Sequence, residues 1–194
     1  MSASGRIAVF GYGSLVSPAS ASATIGRPVA EVIPAELAGW RRGFAQQRHN
    51  PTCEKTFARA DGGGVPEWTL GLAVEPQPES AVNGALIELT PAEADRLDLR
   101  EIRYLRRDVT AEVRSATPFH VVFTYLARPE HRCPAPPPGA VILRSYLDAV
   151  EAAFAELGPG ELERFRATTE IPAVEIVDGV LIRDEIPPGN PRDW

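Results

Sequence analysis

A short apolar run near the start of the chain ends in a glycine-spaced turn, and this junction constrains the fold more than any other feature. Residues 7–10 are all apolar, which is typical of a buried strand. In residues 11–15 a glycine stands on each side of Tyr12, so the backbone can turn tightly and approach a ligand closely. Ser17 and Pro18 then suit the N-cap and first position of a short helix. We therefore expect a strand, a turn and a helix in succession, with N–H groups of the turn able to cradle an anion.

The size and charge of the chain narrow the classes of protein that it can be. Its 194 residues suit one globular domain, residues 1–194, with a buried core. The net charge of −6 argues against a nucleic-acid partner, because no basic stripe is present to neutralise phosphates. We expect no membrane association, since apolar runs fall short of the ~18 residues of a span. We also expect no signal peptide, since a charged segment followed by an apolar one is not found at the N-terminus. With only Cys53 and Cys133, we expect free thiols and a cytoplasmic location.

Apolar and alternating runs predict that strands dominate the first two thirds of the chain. We expect strands at residues 40–49, 68–74 and 82–89. A hairpin is expected further on, with its two arms at residues 104–113 and 119–126. Within the strand at 82–89, Gly84 indicates a bulge or the close approach of another backbone.

Helices are predicted once in the middle of the chain and twice near its end. Thr90-Pro91-Ala92-Glu93 is a capping box with proline in the first helical position, so a helix begins there. Two more helices are expected at residues 141–157 and 161–167. Residues 134–139 form a stiff proline-rich loop, and residues 187–194 form a surface tail. Strands followed by helices predict the α+β class.

A carboxylate near the end of the middle helix is a candidate functional group. Ala94 and Leu97 mark the apolar face of this helix, and Glu101 follows Ala94 by seven residues, nearly two turns. If the helix extends that far, the Glu101 carboxylate faces the core, where it needs partners or a raised pKa. Such groups are frequent in functional sites. The alternative is a helix that ends earlier, with Glu101 paired to Arg103 or Arg106.

Two blocks of the sequence resemble the γ-glutamylcyclotransferase superfamily. The first is Phe10-Gly11-Tyr12-Gly13-Ser14-Leu15, and the second runs from Val82 through Asp98 and Glu101 to Tyr104. A weaker likeness covers residues 40–44. The resemblance implies an α+β fold, a small mixed β-barrel flanked by helices. It also implies an enzyme that releases 5-oxoproline from γ-glutamyl compounds without metal or cofactor.

The resemblance further implies roles for individual residues. Glu101 is expected to be the acid/base, and the turn backbone to bind the α-carboxylate of a small-molecule γ-glutamyl substrate. The substrate's own α-amine attacks its γ-carbonyl, so the protein needs no nucleophile. Burial would raise the pKa of Glu101 towards that of the amine. The residues expected to bind substrate are Gly11, Tyr12, Gly13, Ser14, Leu15, Tyr104, Tyr125 and Tyr146.

The sequence leaves several questions about the function and the site residues open. A non-catalytic relative could use the same pocket to bind a γ-glutamyl or other amino-acid metabolite, and an enzyme could remove γ-glutamyl protection from a biosynthetic intermediate. Asp98 is a rival acid/base, and a homodimer is left open. Loops at residues 61–66 and 131–139 are expected to recognise the leaving amine, whose identity the sequence does not encode. Neither His49 with Cys53 nor His131 with Cys133 has convincing spacing for catalysis or zinc.

Overall fold

The computed structural model describes residues 5–186 and residue 190, and its elements are both helical and extended. The strands are β1 (Ile7–Gly11), β2 (Ile33–His49), β3 (Lys55–Arg59), β4 (Trp68–Leu89), β5 (Tyr104–Asp108), β6 (Val113–Arg114), β7 (Val121–Ala127), β8 (Val141–Leu143), β9 (Thr169–Glu170), β10 (Glu175–Val177) and β11 (Gly179–Asp184). The helices are α1 (Pro18–Ile25), α2 (Pro91–Arg100), α3 (Arg144–Leu157) and α4 (Glu161–Ala167), with 3₁₀ turns at Ser14–Val16, Asn50–Thr52 and Pro129–His131. Apart from Asn190, the predicted tail at 187–194 lies outside the described residues.

A mixed sheet, curled into a half-barrel, organises the described part of the chain. Its strands follow the order β10-β8-β4-β1-β7-β5, while β2 pairs along β4 and also contacts β6 and β9. β1 is central, antiparallel to β4 and parallel to β7. A separate two-stranded sheet joins β3 and β11. The predicted α+β class, with a small mixed β-barrel flanked by helices, is confirmed, the barrel taking the form of a half-barrel.

Helices cover both faces of the sheet at β1. Because successive strand residues point to opposite faces, Phe10 packs in the cluster that contains Phe154 of α3 and Phe165 of α4. Val9 packs in a second cluster, which contains α1 residues and Leu97 of α2. The turn after β1 therefore emerges between two helical layers, and residues from both can reach it.

β4 corrects the prediction of two separate strands at 68–74 and 82–89. It is one continuous strand, paired antiparallel with β2 from His49 opposite Trp68 to Ile33 opposite Leu86. The register shifts next to Gly39, whose φ is +82° and whose missing Cβ permits this conformation. The bulge allows both strands to bend together instead of ending. For the same reason β2 begins well before residue 40.

Two other boundaries differ from the sequence predictions. Residues 141–143 form strand β8, parallel to β10, instead of the first turn of a helix; their branched apolar side chains suit a buried strand.

β5 and β7 form the predicted antiparallel pair, with Tyr104 opposite Ala127. β5 ends early, because the Asp108 carboxylate accepts hydrogen bonds from the N–H and hydroxyl of Thr110. β6 pairs with β2 instead.

Other local predictions are confirmed. The Ser17 hydroxyl caps α1, and the α4 helix spans the predicted residues. A Cβ on Gly84 would collide with the Gly11 carbonyl oxygen, so another backbone does approach closely there. Cys53 and Cys133 are buried and free. None of the helices in the described part of the chain has the length and apolar character needed to cross a bilayer.

Candidate active site

The turn after β1 presents backbone N–H groups at the end of the strand. Residues 14–16 form a 3₁₀ turn, in which the Val16 N–H donates to the Gly13 carbonyl at 2.9 Å. The N–H groups of Ser14 and Leu15 open this turn, so they have no acceptor within it. Gly11 is required for the turn to fold back, because a Cβ there would lie 3.0 Å from Cβ of Leu15.

Glu101 stands at the C-terminal end of α2. The helix begins with the predicted capping box, in which Thr90 and Glu93 exchange both hydrogen bonds. It ends at Arg100, so it stops just before Glu101, whose N–H still donates to the Leu97 carbonyl at 2.8 Å. The Glu101 side chain is nevertheless only 15% exposed. The helix therefore ends before Glu101, as the alternative interpretation predicted. The Glu101 carboxylate nevertheless faces the interior.

Arg100 forms an ion pair with Glu101, at 3.0 Å from Nε to Oε1. Of the two arginines named in the alternative, Arg103 pairs with Glu54, and Arg106 pairs with Asp95 and Asp98. A neighbouring cation favours the charged form of a carboxylate, which opposes the effect of burial alone.

Arg100 also joins α2 to the turn and to α1. It is buried, and its guanidinium donates to the Ser14 hydroxyl at 3.0 Å and to the Thr24 hydroxyl at 2.8 Å. The carboxylate and the turn are therefore held by the same side chain. Arg100 was not among the predicted site residues, although its position three residues after Leu97 places it towards the apolar face.

Two adjoining cavities lie where these segments meet, with volumes of about 110 and 40 Å³. They share Ser14, Glu101, Tyr104 and Tyr146 in their linings. The smaller cavity is lined by all the residues to which the family resemblance gives a role in catalysis or substrate binding: Gly11, Tyr12, Gly13, Ser14, Leu15, Glu101, Tyr104, Tyr125 and Tyr146. The fold thus brings segments some ninety residues apart in the chain to one place.

Three tyrosine hydroxyls hold the walls of the smaller cavity together. The Tyr12 hydroxyl donates to the Tyr125 carbonyl at 2.7 Å, and the Tyr104 hydroxyl donates to the Leu72 carbonyl at 2.9 Å. The Tyr125 hydroxyl donates to the Asp98 carboxylate at 2.8 Å. Burial raises the pKa of all three phenols, so they stay protonated at neutral pH.

Tyr146 reaches the site from α3 and differs from the other tyrosines. Its hydroxyl oxygen accepts the Leu72 N–H at 3.4 Å and lies 3.4 Å from the position that a Cβ on Gly13 would occupy. Burial raises the pKa of Tyr146 to about 12, so this hydroxyl is also protonated at neutral pH. Among the described residues no acceptor takes its proton, which leaves it available to a ligand.

Asp98 and the two predicted recognition loops lie elsewhere. Asp98 accepts hydrogen bonds from Arg106 at 2.7 Å and from Tyr125, and it lines neither cavity. Residues from the two loops at 61–66 and 131–139 line a separate groove that also includes Glu175.

The far wall of the larger cavity consists of polar residues that the sequence analysis did not single out. Gln46 and Arg48 lie two residues apart on β2, and Thr69 lies opposite Arg48 on β4. The Arg48 Nε donates to the Thr69 hydroxyl at 3.1 Å. Arg103 completes this wall. Gln46 and Arg48 lie on the inward side of β2, as do the core residues Trp40 and Phe44. Polar residues at such positions are the sequence pattern that could have predicted this wall.

Arg42 supports the turn from behind. This fully buried arginine packs against the stacked rings of Phe154 and Phe165, at 4.9 and 4.4 Å from their centroids. It donates to the carbonyls of Asn83 at 2.7 Å and Tyr12 at 3.3 Å. Burial lowers the pKa of Arg42 to about 9, so the group remains charged at neutral pH. Through Arg42, the helices of the C-terminal third help to hold the turn.

Comparison with known proteins identifies the fold. No family model and no curated protein matches the sequence. A solved structure described as gamma-glutamyl cyclotransferase matches with a TM-score of 0.60 and 18% identity, over 84% of this chain and 88% of its own. A glutathione-specific γ-glutamyl cyclotransferase from yeast matches with a TM-score of 0.52 and 16% identity, over 85% and 97%.

The protein YkqA from Bacillus subtilis also matches, with a TM-score of 0.57 and 16% identity over 84% of this chain. The match spans about half of YkqA, 54% of its length. At these identities the likeness is one of fold. The chain has the γ-glutamylcyclotransferase-like fold.

Proposed function

We propose that the protein is an enzyme of the γ-glutamylcyclotransferase type, which releases 5-oxoproline and an amine from a γ-glutamyl amide or peptide. One observation carries the proposal: the Glu101 carboxylate and the glycine-spaced turn line the same cavity. A γ-glutamyl group needs an anion-binding element for its α-carboxylate and a proton acceptor near its α-amine. The description of two fold neighbours as γ-glutamyl cyclotransferases supports the same class of reaction.

In this proposal the turn binds the substrate and Glu101 moves protons. The N–H groups of Ser14 and Leu15 hold the α-carboxylate, as neutral donors that add no further positive charge beside Glu101. Arg100 contacts both the Ser14 hydroxyl and the Glu101 carboxylate, so it sets the distance between the two functions. The protonated Tyr146 hydroxyl, close to Gly13, donates a hydrogen bond to the bound γ-glutamyl group.

The chemistry is an intramolecular aminolysis. The α-nitrogen forms a bond to the γ-carbon, the bond from that carbon to the leaving nitrogen breaks, and a five-membered lactam results. The attacking ammonium loses two protons and the departing amine gains two, and Glu101 transfers them in turn. Because nucleophile and electrophile belong to one molecule, tethering contributes several kcal/mol of the lowering of the barrier. We place this reaction in a reducing cytoplasm, in keeping with two buried thiols.

Replacement of the acid/base tests the proposal. We expect Glu101→Gln to keep the fold, because the amide is isosteric, and to lower kcat for 5-oxoproline release by about a thousandfold. Product chromatography with γ-glutamyl dipeptides, glutathione and γ-glutamyl-ε-lysine as substrates measures the release. Glu156→Gln, on an exposed position of α3, is the matched control and should retain full activity.

Two results would contradict the proposal. Turnover retained in Glu101→Gln would exclude Glu101 and direct attention to Asp98. Binding of these compounds to the unmodified protein in calorimetry, with no 5-oxoproline formed, would identify a binding protein instead of an enzyme.

A further inference from the structure

Gln46 places a buried carboxamide in the wall of the larger cavity. The residue is only 6% exposed, and it belongs to the lining of that cavity. Its Nε2 donates to the Gln47 carbonyl at 2.6 Å, a contact that requires the NH₂ group and therefore fixes which side of the carboxamide is oxygen. In the described part of the chain no donor reaches the Oε1 atom. Buried carbonyl oxygens without a donor are costly and rare, so this one, at a cavity wall, indicates a ligand that supplies the donor.

Gly71 makes room for this oxygen. It lies opposite Gln46 in the pairing of β2 with β4, and it lines the same cavity. A Cβ on Gly71 would lie 2.7 Å from Oε1 of Gln46 and 3.7 Å from the Tyr104 hydroxyl. Because Tyr104 lines both cavities, the Gln46 oxygen lies close to the place where they adjoin.

The junction of the two cavities is where the scissile amide of a γ-glutamyl substrate would lie. If the turn holds the γ-glutamyl group in the smaller cavity, the departing group occupies the larger one, and the amide crosses between them beside Glu101. The departing nitrogen of such an amide carries one N–H donor. The guanidinium groups that line the larger cavity are donors only, so they cannot receive it. The Gln46 oxygen is an acceptor, and it is neutral.

We infer that Oε1 of Gln46 accepts a hydrogen bond from the departing nitrogen, which makes Gln46 a further catalytic residue. This inference rests on the proposed function for the reaction itself. The nitrogen has one hydrogen in the amide and gains two protons as it departs, and a protonated nitrogen is the stronger donor. The hydrogen bond is therefore stronger in the transition state than in the bound substrate, so it raises kcat as well as kcat/KM.

A pair of substrates that differ only in this N–H tests the contact. γ-Glutamylglycine and the γ-glutamyl ester of glycolic acid have the same shape and the same terminal carboxylate, with oxygen in place of N–H in the ester. Both yield 5-oxoproline, and spontaneous cyclisation is measured without enzyme and subtracted. Because the two bonds differ in intrinsic reactivity, the informative quantity is the change in the amide-over-ester ratio of kcat/KM between variants.

Gln46→Met replaces the carboxamide by an apolar group of similar length. We expect the amide-over-ester ratio to fall about tenfold, because the N–H of the amide loses its acceptor while the ester has no such bond to lose. Part of the loss should appear in kcat for the amide. Gln47→Met, on the opposite face of β2 and outside the lining of both cavities, is the matched control and should leave the ratio unchanged.

A second variant displaces the oxygen without altering Gln46. In Gly71→Ala the added Cβ would meet Oε1, so the carboxamide must move, and the amide-over-ester ratio should fall in the same direction. Thermal unfolding of each variant checks that the fold persists. Should Gln46→Met fail to fold, the ratio in Gly71→Ala decides.

The outcomes separate this inference from the proposed function. An unchanged ratio would overturn the inference while cyclisation itself stands. Equal losses of kcat/KM for amide and ester would also overturn it, because a purely structural effect acts on both. If neither compound is cyclised by the protein, the proposed function fails, and calorimetric titration compares their binding to wild type and Gln46→Met. Tighter binding of the amide that depends on Gln46 supports the contact, whereas equal binding overturns it.

Discussion

Two tyrosine hydroxyls meet the backbone of one residue, Leu72, in opposite hydrogen-bonding roles. Tyr104 donates its proton to the Leu72 carbonyl, whereas Tyr146 accepts the Leu72 N–H and keeps its own proton available. Both tyrosines are partly buried, and desolvation raises the pKa of each phenol. At the scale of single residues, the difference is that the Tyr146 hydroxyl can still donate a hydrogen bond to a ligand, whereas the Tyr104 hydroxyl already donates to Leu72.

The two corresponding phenylalanine variants separate these roles. We expect Tyr146→Phe to lower kcat/KM for 5-oxoproline release about tenfold, because a donor to the substrate is lost. Tyr104→Phe should lower the free energy of unfolding by about 1 kcal/mol, because a buried carbonyl loses its donor. Steady-state kinetics and urea unfolding of both proteins measure the two effects. Unchanged kinetics in Tyr146→Phe would contradict the role given to its hydroxyl.

At the scale of elements, α2 couples a local folding signal to the site. Its first residues form the capping box of Thr90 and Glu93, and Glu93 also binds Arg27 after α1. Its last turn holds Arg100, with Glu101 directly after it. The cap determines where the helix begins, and 3.6 residues per turn then determine which way the last residues point.

Loss of the cap should weaken the protein measurably. We expect Thr90→Ala to lower the free energy of unfolding by about 1 kcal/mol, because the Glu93 N–H loses its acceptor at the helix N-terminus. Urea denaturation monitored by circular dichroism measures the change. Thr117→Ala, in the loop before β7, is the matched control and should change the unfolding free energy by less than about 0.5 kcal/mol. Equal stability of both variants would refute the contribution of the cap.

At the scale of the whole molecule, arginine–carboxylate pairs join segments that are distant in the chain. Arg6 pairs with Glu88 across β1 and β4, and Arg27 pairs with Glu93. Hydrogen bonds from these arginines lower the pKa values of Glu88 and Glu93. Arg59 and Asp61, which are close in the chain, show the same effect. Hydrogen bonds from Arg59 lower the pKa of Asp61 to about 2.

These shifts predict the direction of the acid response. Carboxylates with a folded pKa below the unfolded one stabilise the protein above about pH 4.5, and this contribution is lost as the pH falls from there towards 2. The unfolded chain binds more protons in that range, so the free energy of unfolding must decrease with falling pH. Urea titrations at about pH 7, 5, 3.5 and 2.5 measure it. A curve that stays flat or rises below pH 4 would contradict the assignment.

Much of the fold could be predicted because its signals are local. Three examples are the apolar run of β1, the N-cap of α1 and the capping box of α2, each of which needs only neighbouring residues. The predicted boundaries of strands and helices were wrong where pairing with a distant strand determined them. Residues 141–143 became a strand because β10 pairs with them, and β4 continued because β2 bends with it at Gly39.

The sequence by itself determined the chemical components: a turn with exposed N–H groups, a carboxylate at the end of a capped helix, and tyrosines within reach of both. Only the tertiary structure decided what surrounds them. Arg100 holds Ser14 of the turn, Arg42 supports the turn from behind and Arg48 lines the far wall, and all three act across long sequence separations. The physical reason is that hydrogen-bond patterns of caps and turns are encoded within a few residues. The charge around a cavity, in contrast, is the sum over segments that meet only when the sheet closes.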